Sequence, residues 1–293
     1  MDLSSTIIRL RARQSARGLS FLGRHVQAWF LREIRRHAPE VADQLHDEPH
    51  NETAPSILRP YTLSTLMKGE YPPREITAGD WCYIRVTSLT QELSGLLIDQ
   101  VLPNLLPQNF IGKFEFEVES WKNGPPDKAL FQTDSYASLL SRGKTSSETR
   151  VSMEFTSPTT FSQMNKSGID IDYPLPAPDK VFGSYQKHWS AFSGAAIEPE
   201  FGEFLGDCLA INELRIRSER VQFSQKDTRR AATGFVGRVR FAILGNREEG
   251  RFGANWEYYS NTLRALALYS FYCGTGSRTT EGLGQTSPLS SSR

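Results

Sequence analysis

At 293 residues the chain can hold one large domain or two ordinary ones, each with its own core, and two is the better fit. An apolar fraction of 38% and a charged fraction of 23% describe an ordinary soluble protein. No apolar run approaches the roughly 20 residues that cross a bilayer, and the early arginines leave no signal-peptide core, so the expectation is a cytoplasmic protein with no membrane partner.

From the N-terminus, residues 5–13 alternate as a half-buried strand, with Ile8, Leu10 and Ala12 on one side and Arg9, Arg11 and Arg13 on the other. The spacing of Val26, Phe30 and Ile34 predicts a helix from about Arg24, and Pro39 ends it and starts a second short helix carrying Val41 and Leu45. Residues 47–58 read as an exposed loop. Trp81–Leu89 reads as a strand, Gln91–Leu102 as a helix and Lys113–Trp121 as a strand with Phe114, Phe116 and Val118 facing in. Asn123-Gly-Pro-Pro126 marks a turn or linker, and Tyr136–Leu140 a short helix. The grammar then repeats: a strand at Arg150–Thr156, a helix at Lys180–Phe192, a hairpin of Leu209–Phe223 with Thr233–Leu244, and a helix at Trp256–Tyr272. This alternation predicts an α+β chain of two tandem ferredoxin-like (RRM-like) domains with antiparallel sheets. The expected boundaries are 1–125, a linker region at 126–147, a second domain at 148–286 and a disordered tail at 287–293.

The net charge is only +1, yet it is segregated. Between Arg9 and Arg36 lie eight arginines and one acid, Glu33. Between Arg215 and Arg240 lie eight Lys/Arg against Glu219 and Asp227. Such patches either bind phosphate backbones or are simply solvated arginine faces. On the second strand of the predicted hairpin, Arg238 and Arg240 oppose Phe235, Val239, Phe241 and Ile243, with Lys226, Arg229 and Arg230 at the hairpin tip.

The segment Cys273-Gly-Thr-Gly-Ser-Arg-Thr-Thr-Glu-Gly-Leu-Gly-Gln-Thr286 sets Gly274, Gly276, Gly282 and Gly284 around Arg278. It reads as a backbone cradle for phosphate, because glycine lets main-chain N–H groups approach an anion and the guanidinium adds a cationic fork. A mobile turn is the plainer reading. A dinucleotide fingerprint needs a strand before its glycines, whereas a helix precedes these.

Cys82, Cys208 and Cys273 are far apart and read as packed thiols, neither metal ligands nor a disulfide framework. Five histidines lack the spacing of a zinc site, so no metal and no cofactor is expected. His46 falls at the end of the short helix, where carbonyls favour a protonated imidazole; it suits acid–base work or a surface helix cap. His25 shares a helical face with Trp29, Arg32 and Arg36, suited to phosphate contact and base stacking, or to plain packing. His37 and His50 read as exposed and His188 as structural.

An ordered set of motifs goes further: Leu45-His46, Arg59-Pro-Tyr-Thr-Leu-Ser64, Arg85-Val-Thr-Ser-Leu89, Phe155-Thr-Ser-Pro-Thr-Thr-Phe161 and Tyr173-Pro-Leu-Pro176. Val181-Phe182, Trp189, Gly234-Phe-Val-Gly237, Gly274-Thr-Gly276 and Thr279-Thr-Glu-Gly-Leu-Gly-Gln285 complete it. Over residues 3–286 the chain resembles the CRISPR-associated endoribonucleases of the sixth-numbered Cas family, which cut precursor CRISPR RNA within each repeat. The resemblance implies tandem ferredoxin-like domains, a glycine-rich loop near the RNA and metal-independent cleavage. In that chemistry the ribose 2′-hydroxyl attacks the adjacent phosphate, leaving a 2′,3′-cyclic phosphate and a 5′-hydroxyl. The resemblance implies His46 as first catalytic candidate, at the position where a large part of the family carries its histidine, and His25 as second, on the first helix where other members place theirs. Together with the basic faces above, the candidate RNA-binding set is Arg32, Arg36, Arg59, Arg229, Arg230, Arg238, Arg240, Gly274, Gly276, Arg278, Thr280, Gly282, Gly284 and Gln285. Leu31 stands where some members carry a tyrosine, and Glu52 where they carry a lysine. The implied partners are precursor and mature CRISPR RNA, with effector-complex subunits and a second copy of the chain as further candidates. The alternative is a non-catalytic repeat-binding protein or a structural subunit of an effector complex.

Overall fold

The structure, a computed structural model, describes residues 2–46, 58–121, 130–223, 231–245 and 251–289. The chain divides into two compact units, residues 1–133 with 222–230 and 280–282, and residues 134–221 with 231–279 and 283–293.

The first unit contains β1 (Leu3–Ala12), β2 (Ala16–Arg17), α1 (Gly23–His37), α2 (Pro39–His46), β3 (Tyr61–Leu63), β4 (Glu75–Ile76) and β5 (Trp81–Ser88). It continues through α3 (Gln91–Gly95), β6 (Gln108–Ile111) and β7 (Phe114–Ser120) to β8 (Gln132–Asp134), at the boundary. Its main sheet runs β3-β5-β1-β7-β6, with β1 antiparallel to both β5 and β7. The alternation of β1 does what the sequence requires: Ile8, Leu10 and Ala12 enter a core with Val26, Trp29, Phe30 and Ile34 of α1, while Arg9 and Arg11 point the other way. Phe116 lies in the same core, with Phe114 and Val118 packed against it. Pro39 opens α2 with its ring-fixed φ at a position whose N–H has no partner in the helix. The helix expected over 91–102 begins at Thr90, whose hydroxyl accepts from Leu93 N–H, then widens into a π turn over Leu96–Val101 and closes at Pro103.

The second unit contains α4 (Tyr136–Thr145), β9 (Arg150–Thr159), β10 (Phe161–Met164), β11 (Asp170–Tyr173), α5 (Pro178–Phe192) and α6 (Glu200–Cys208). It ends with β12 (Leu209–Gln222), β13 (Ala231–Ile243), α7 (Trp256–Cys273) and β14 (Thr286–Leu289). The sheet order is β12-β13-β9-β14, so the expected hairpin is present. Two segments depart from expectation. Residues 136–145 belong to α4, not to a linker: Ser135 caps it by accepting from Ser138 N–H at 3.1 Å, and Tyr136 and Leu139 are buried. Ser287–Leu289, expected in a disordered tail, add an edge strand beside β9, where Pro288 is tolerated because an edge N–H is not needed.

Both units are thus α+β with antiparallel sheets, of the tandem ferredoxin-like type. Among the described residues no helix is long and apolar enough to cross a membrane.

Candidate functional site

The most suggestive cavity lies in the first unit, on the helix side of its sheet. One stripe of α1 sinks Val26, Phe30 and Ile34; the adjoining one lines the cavity with Arg24, Gln27, Ala28, Leu31, Arg32 and Arg35. Leu45 and His46 reach it from the end of α2, and Arg59 from the approach to β3. The cavity holds about 320 Å³, and among the described residues its wall carries four arginines, one histidine and no carboxylate. A concave surface of that composition concentrates anions.

Each cation is held by a specific partner. Arg59 donates to the Gln44 carbonyl at 3.3 Å and the His46 carbonyl at 3.4 Å, satisfying orphan acceptors at the end of α2 and fixing the backbone that carries the imidazole. Arg35 donates to Asp43 at 2.5 Å, Arg24 to Glu281 at 3.1 Å and Arg32 to the Phe110 carbonyl at 3.1 Å. Except for the buried Glu33 that also pairs with Arg32 and Arg36, these partners lie at or near the surface, where such pairs are weak and exchangeable for a phosphate.

The tip of the glycine-rich segment touches the same helix. Gln27 Nε2 donates both to Tyr61 Oη at 3.3 Å and to Thr280 Oγ1 at 3.1 Å, and burial pushes the Tyr61 phenol up, keeping it neutral. Elsewhere the glycines serve close packing. Gly276, Gly282 and Gly284 all have positive φ, and a Cβ would lie 2.2 Å from Thr160 O, 2.6 Å from Thr65 N and 2.1 Å from Thr275 O. The backbone amides of Thr275, Ser277, Leu283, Gly284 and Gln285 donate to Gly284 O, Thr160 O, Arg278 O, Pro158 O and Ser157 Oγ. Those five amides are therefore spent on the fold. Gly274 packs on Gly284 and Thr279, and Arg278 itself adopts φ 59°.

The remaining sequence-predicted residues are dispersed. His25 is exposed outside the cavity, its ring lying over Gly112, where a Cβ would come within 2.8 Å. Trp29, expected to stack on a base, is 1% exposed and donates its indole N–H to Asn109 at 2.9 Å, so its stripe is core. Arg36 pairs with Glu33 at 3.0 Å. In the second unit Arg238 faces Glu154 across the strand pair at 3.0 Å, and Arg240 meets Glu213 at 2.9 Å. The basic face of β13 is thus internally matched. His50, Glu52, Lys226, Arg229 and Arg230 lie outside the described residues. Arg24, Gln27 and Arg35 were not singled out; their spacing of 24, 27, 28, 31 and 35 on one side of α1 was the available signal. Among the described residues no cluster of three His, Cys, Asp or Glu is arranged to hold a metal.

Residues 153–286 match the family model of the CRISPR-associated endoribonuclease Cas6. Among the curated proteins none matches the chain. Among solved structures, a product complex of Thermus thermophilus Cas6 has 22% identity and a TM-score of 0.74, covering 98% of this chain and 100% of that one. A second Cas6 product complex has 22% identity and a TM-score of 0.69 over 99% of this chain and 100% of that one. A Cas6-related protein from Pyrococcus furiosus has 12% identity and a TM-score of 0.64, again over 99% and 100%. At these identities the structural likeness establishes the fold, and the match of residues 153–286 to the family model makes that part of the chain similar to the Cas6 endoribonucleases.

Proposed function

We propose that the chain is an endoribonuclease that processes CRISPR repeat RNA at the α1–α2 cavity, without a metal ion. The observation that carries this reading is the convergence of His46 with Arg24, Arg32, Arg35 and Arg59 on one concave wall. In the proposed step the 2′-oxygen forms a bond to the adjacent phosphorus as the bond from phosphorus to the 5′-oxygen breaks. The 2′-hydroxyl gives up its proton, the 5′-oxygen gains one, and the products end in a 2′,3′-cyclic phosphate and a 5′-hydroxyl. His46 is the proton-transfer group, and the arginines stabilise the charge that accumulates on the phosphorane oxygens. Arg59 has two parts in this: it contributes charge and it holds the turn of backbone that presents His46. His25, lying over Gly112, takes no direct part.

The reading is tested with repeat RNA from the same locus, incubated with the protein in EDTA, with and without a 2′-deoxy substitution at the scissile nucleotide. Cleavage of the ribose substrate and none of the deoxy substrate is expected. Loss of cutting in EDTA, or cutting of the deoxy substrate, overturns the mechanism.

A further inference from the structure

The face of the first sheet opposite α1 carries a second feature that the cavity does not use. In the β1–β5 register Arg11 lies opposite Trp81 and Arg9 opposite Tyr83, so Arg9 is diagonal to Trp81. The Arg9 guanidinium carbon sits 4.0 Å from the Trp81 ring centroid and that of Arg11 5.3 Å. Towards the Leu3 end this face is closed, with Ile7 and Arg85 buried, but it opens at Arg9, and Trp81 is 40% exposed. Among the described residues no carboxylate pairs with Arg9, and Arg11 meets only Glu119, at 3.7 Å and at the surface. The indole, with two guanidinium groups over it and Tyr83 on the same face, lies outside the apolar core, which is on the other side of the sheet.

We propose that Arg9, Arg11, Trp81 and Tyr83 form a stacking platform for unpaired RNA, distinct from the cleavage cavity. The occupant follows from the chemistry. A base stacks on an indole or on a guanidinium plane whatever its identity, and the arginines meet the flanking phosphates. A paired duplex offers no open base face, so the platform takes a single-stranded stretch. This deepens the proposed RNA processing and rests on it only in one respect, that the stretch is part of the processed transcript.

The test separates the two. A fluorescein-labelled unstructured ten-nucleotide RNA is titrated against wild type, Trp81→Leu, Trp81→Phe and Arg9→Gln, and repeat cleavage is measured for the same proteins. The expected result is a loss of at least about fivefold in affinity for the short RNA in Trp81→Leu and Arg9→Gln, retention in Trp81→Phe, and an unchanged rate of the cutting step. Equal binding by wild type and Trp81→Leu, or no binding of the short RNA by wild type, overturns the platform. A wild type that binds the short RNA through Trp81 but cuts no repeat supports the platform and overturns the processing function instead.

Discussion

Gly23 and Glu281 meet through bare backbone: a Cβ at position 23 would lie 1.6 Å from the Glu281 carbonyl oxygen. The first residue of α1 therefore has to be glycine for the segment 280–282 to lie on it, and the Arg24–Glu281 and Gln27–Thr280 bonds follow from that approach. Helix propensity alone would favour alanine at position 23 by up to about 1 kcal/mol. The opposite is expected, a loss of about 1–3 kcal/mol from overpacking against backbone, seen as a lower melting temperature in Gly23→Ala together with weaker repeat binding.

Arg59 couples charge to geometry. Removing its guanidinium in Arg59→Gln takes one cation from the cavity and its donors from the α2 carbonyls. Repeat affinity measured across a salt series should fall, with the log–log slope reduced by about 0.7–0.9 for one lost phosphate contact. Arg59→Lys keeps the charge but not the planar fork, so it should restore the slope while leaving cleavage depressed.

His188 gives the protein an acid-sensitive element away from the site. Burial lowers the imidazole's affinity for protons, against a smaller opposing effect of its bond to the Ser184 carbonyl at 2.9 Å. The folded form thus binds fewer protons than the unfolded chain, whose histidine titrates near 6.5. That contribution to stability is complete above the unfolded value and is lost as pH falls through it towards the lower folded one. Melting temperatures measured from pH 7.5 to 5 should fall on acidification, and less steeply in His188→Gln; parallel curves would contradict this.

Much of the fold was legible because apolar periodicity survives wherever an element has one buried face. The alternation of Ile8, Leu10 and Ala12 marked β1, and Val26, Phe30 and Ile34 marked α1. Short elements such as β3 and β14 carry too few residues for a period and are set by pairing with distant strands, Leu63 with Val86 and Thr286 with Phe155. The motifs pointed to His46 and Arg59, and the α1 face to Arg32; all three line the cavity. The same helical face holds His25, which lies exposed over Gly112, and Trp29, which the core takes. Spacing along a helix gives the face and not what covers it. The glycines of the C-terminal segment were equally ambiguous: left-handed backbone serves an anion or a close chain crossing, and the close crossings at Gly276, Gly282 and Gly284 show in the structure alone.

The central claim, that His46 moves the proton in cleavage, is tested most directly by single-turnover cutting of repeat RNA at saturating protein, comparing wild type, His46→Ala and His25→Ala, with RNA affinity measured alongside. The account predicts a fall of about 10²–10⁴ in the cleavage rate for His46→Ala at nearly unchanged affinity, and a change within about threefold for His25→Ala. A His46→Ala protein that cuts at the wild-type rate would contradict it.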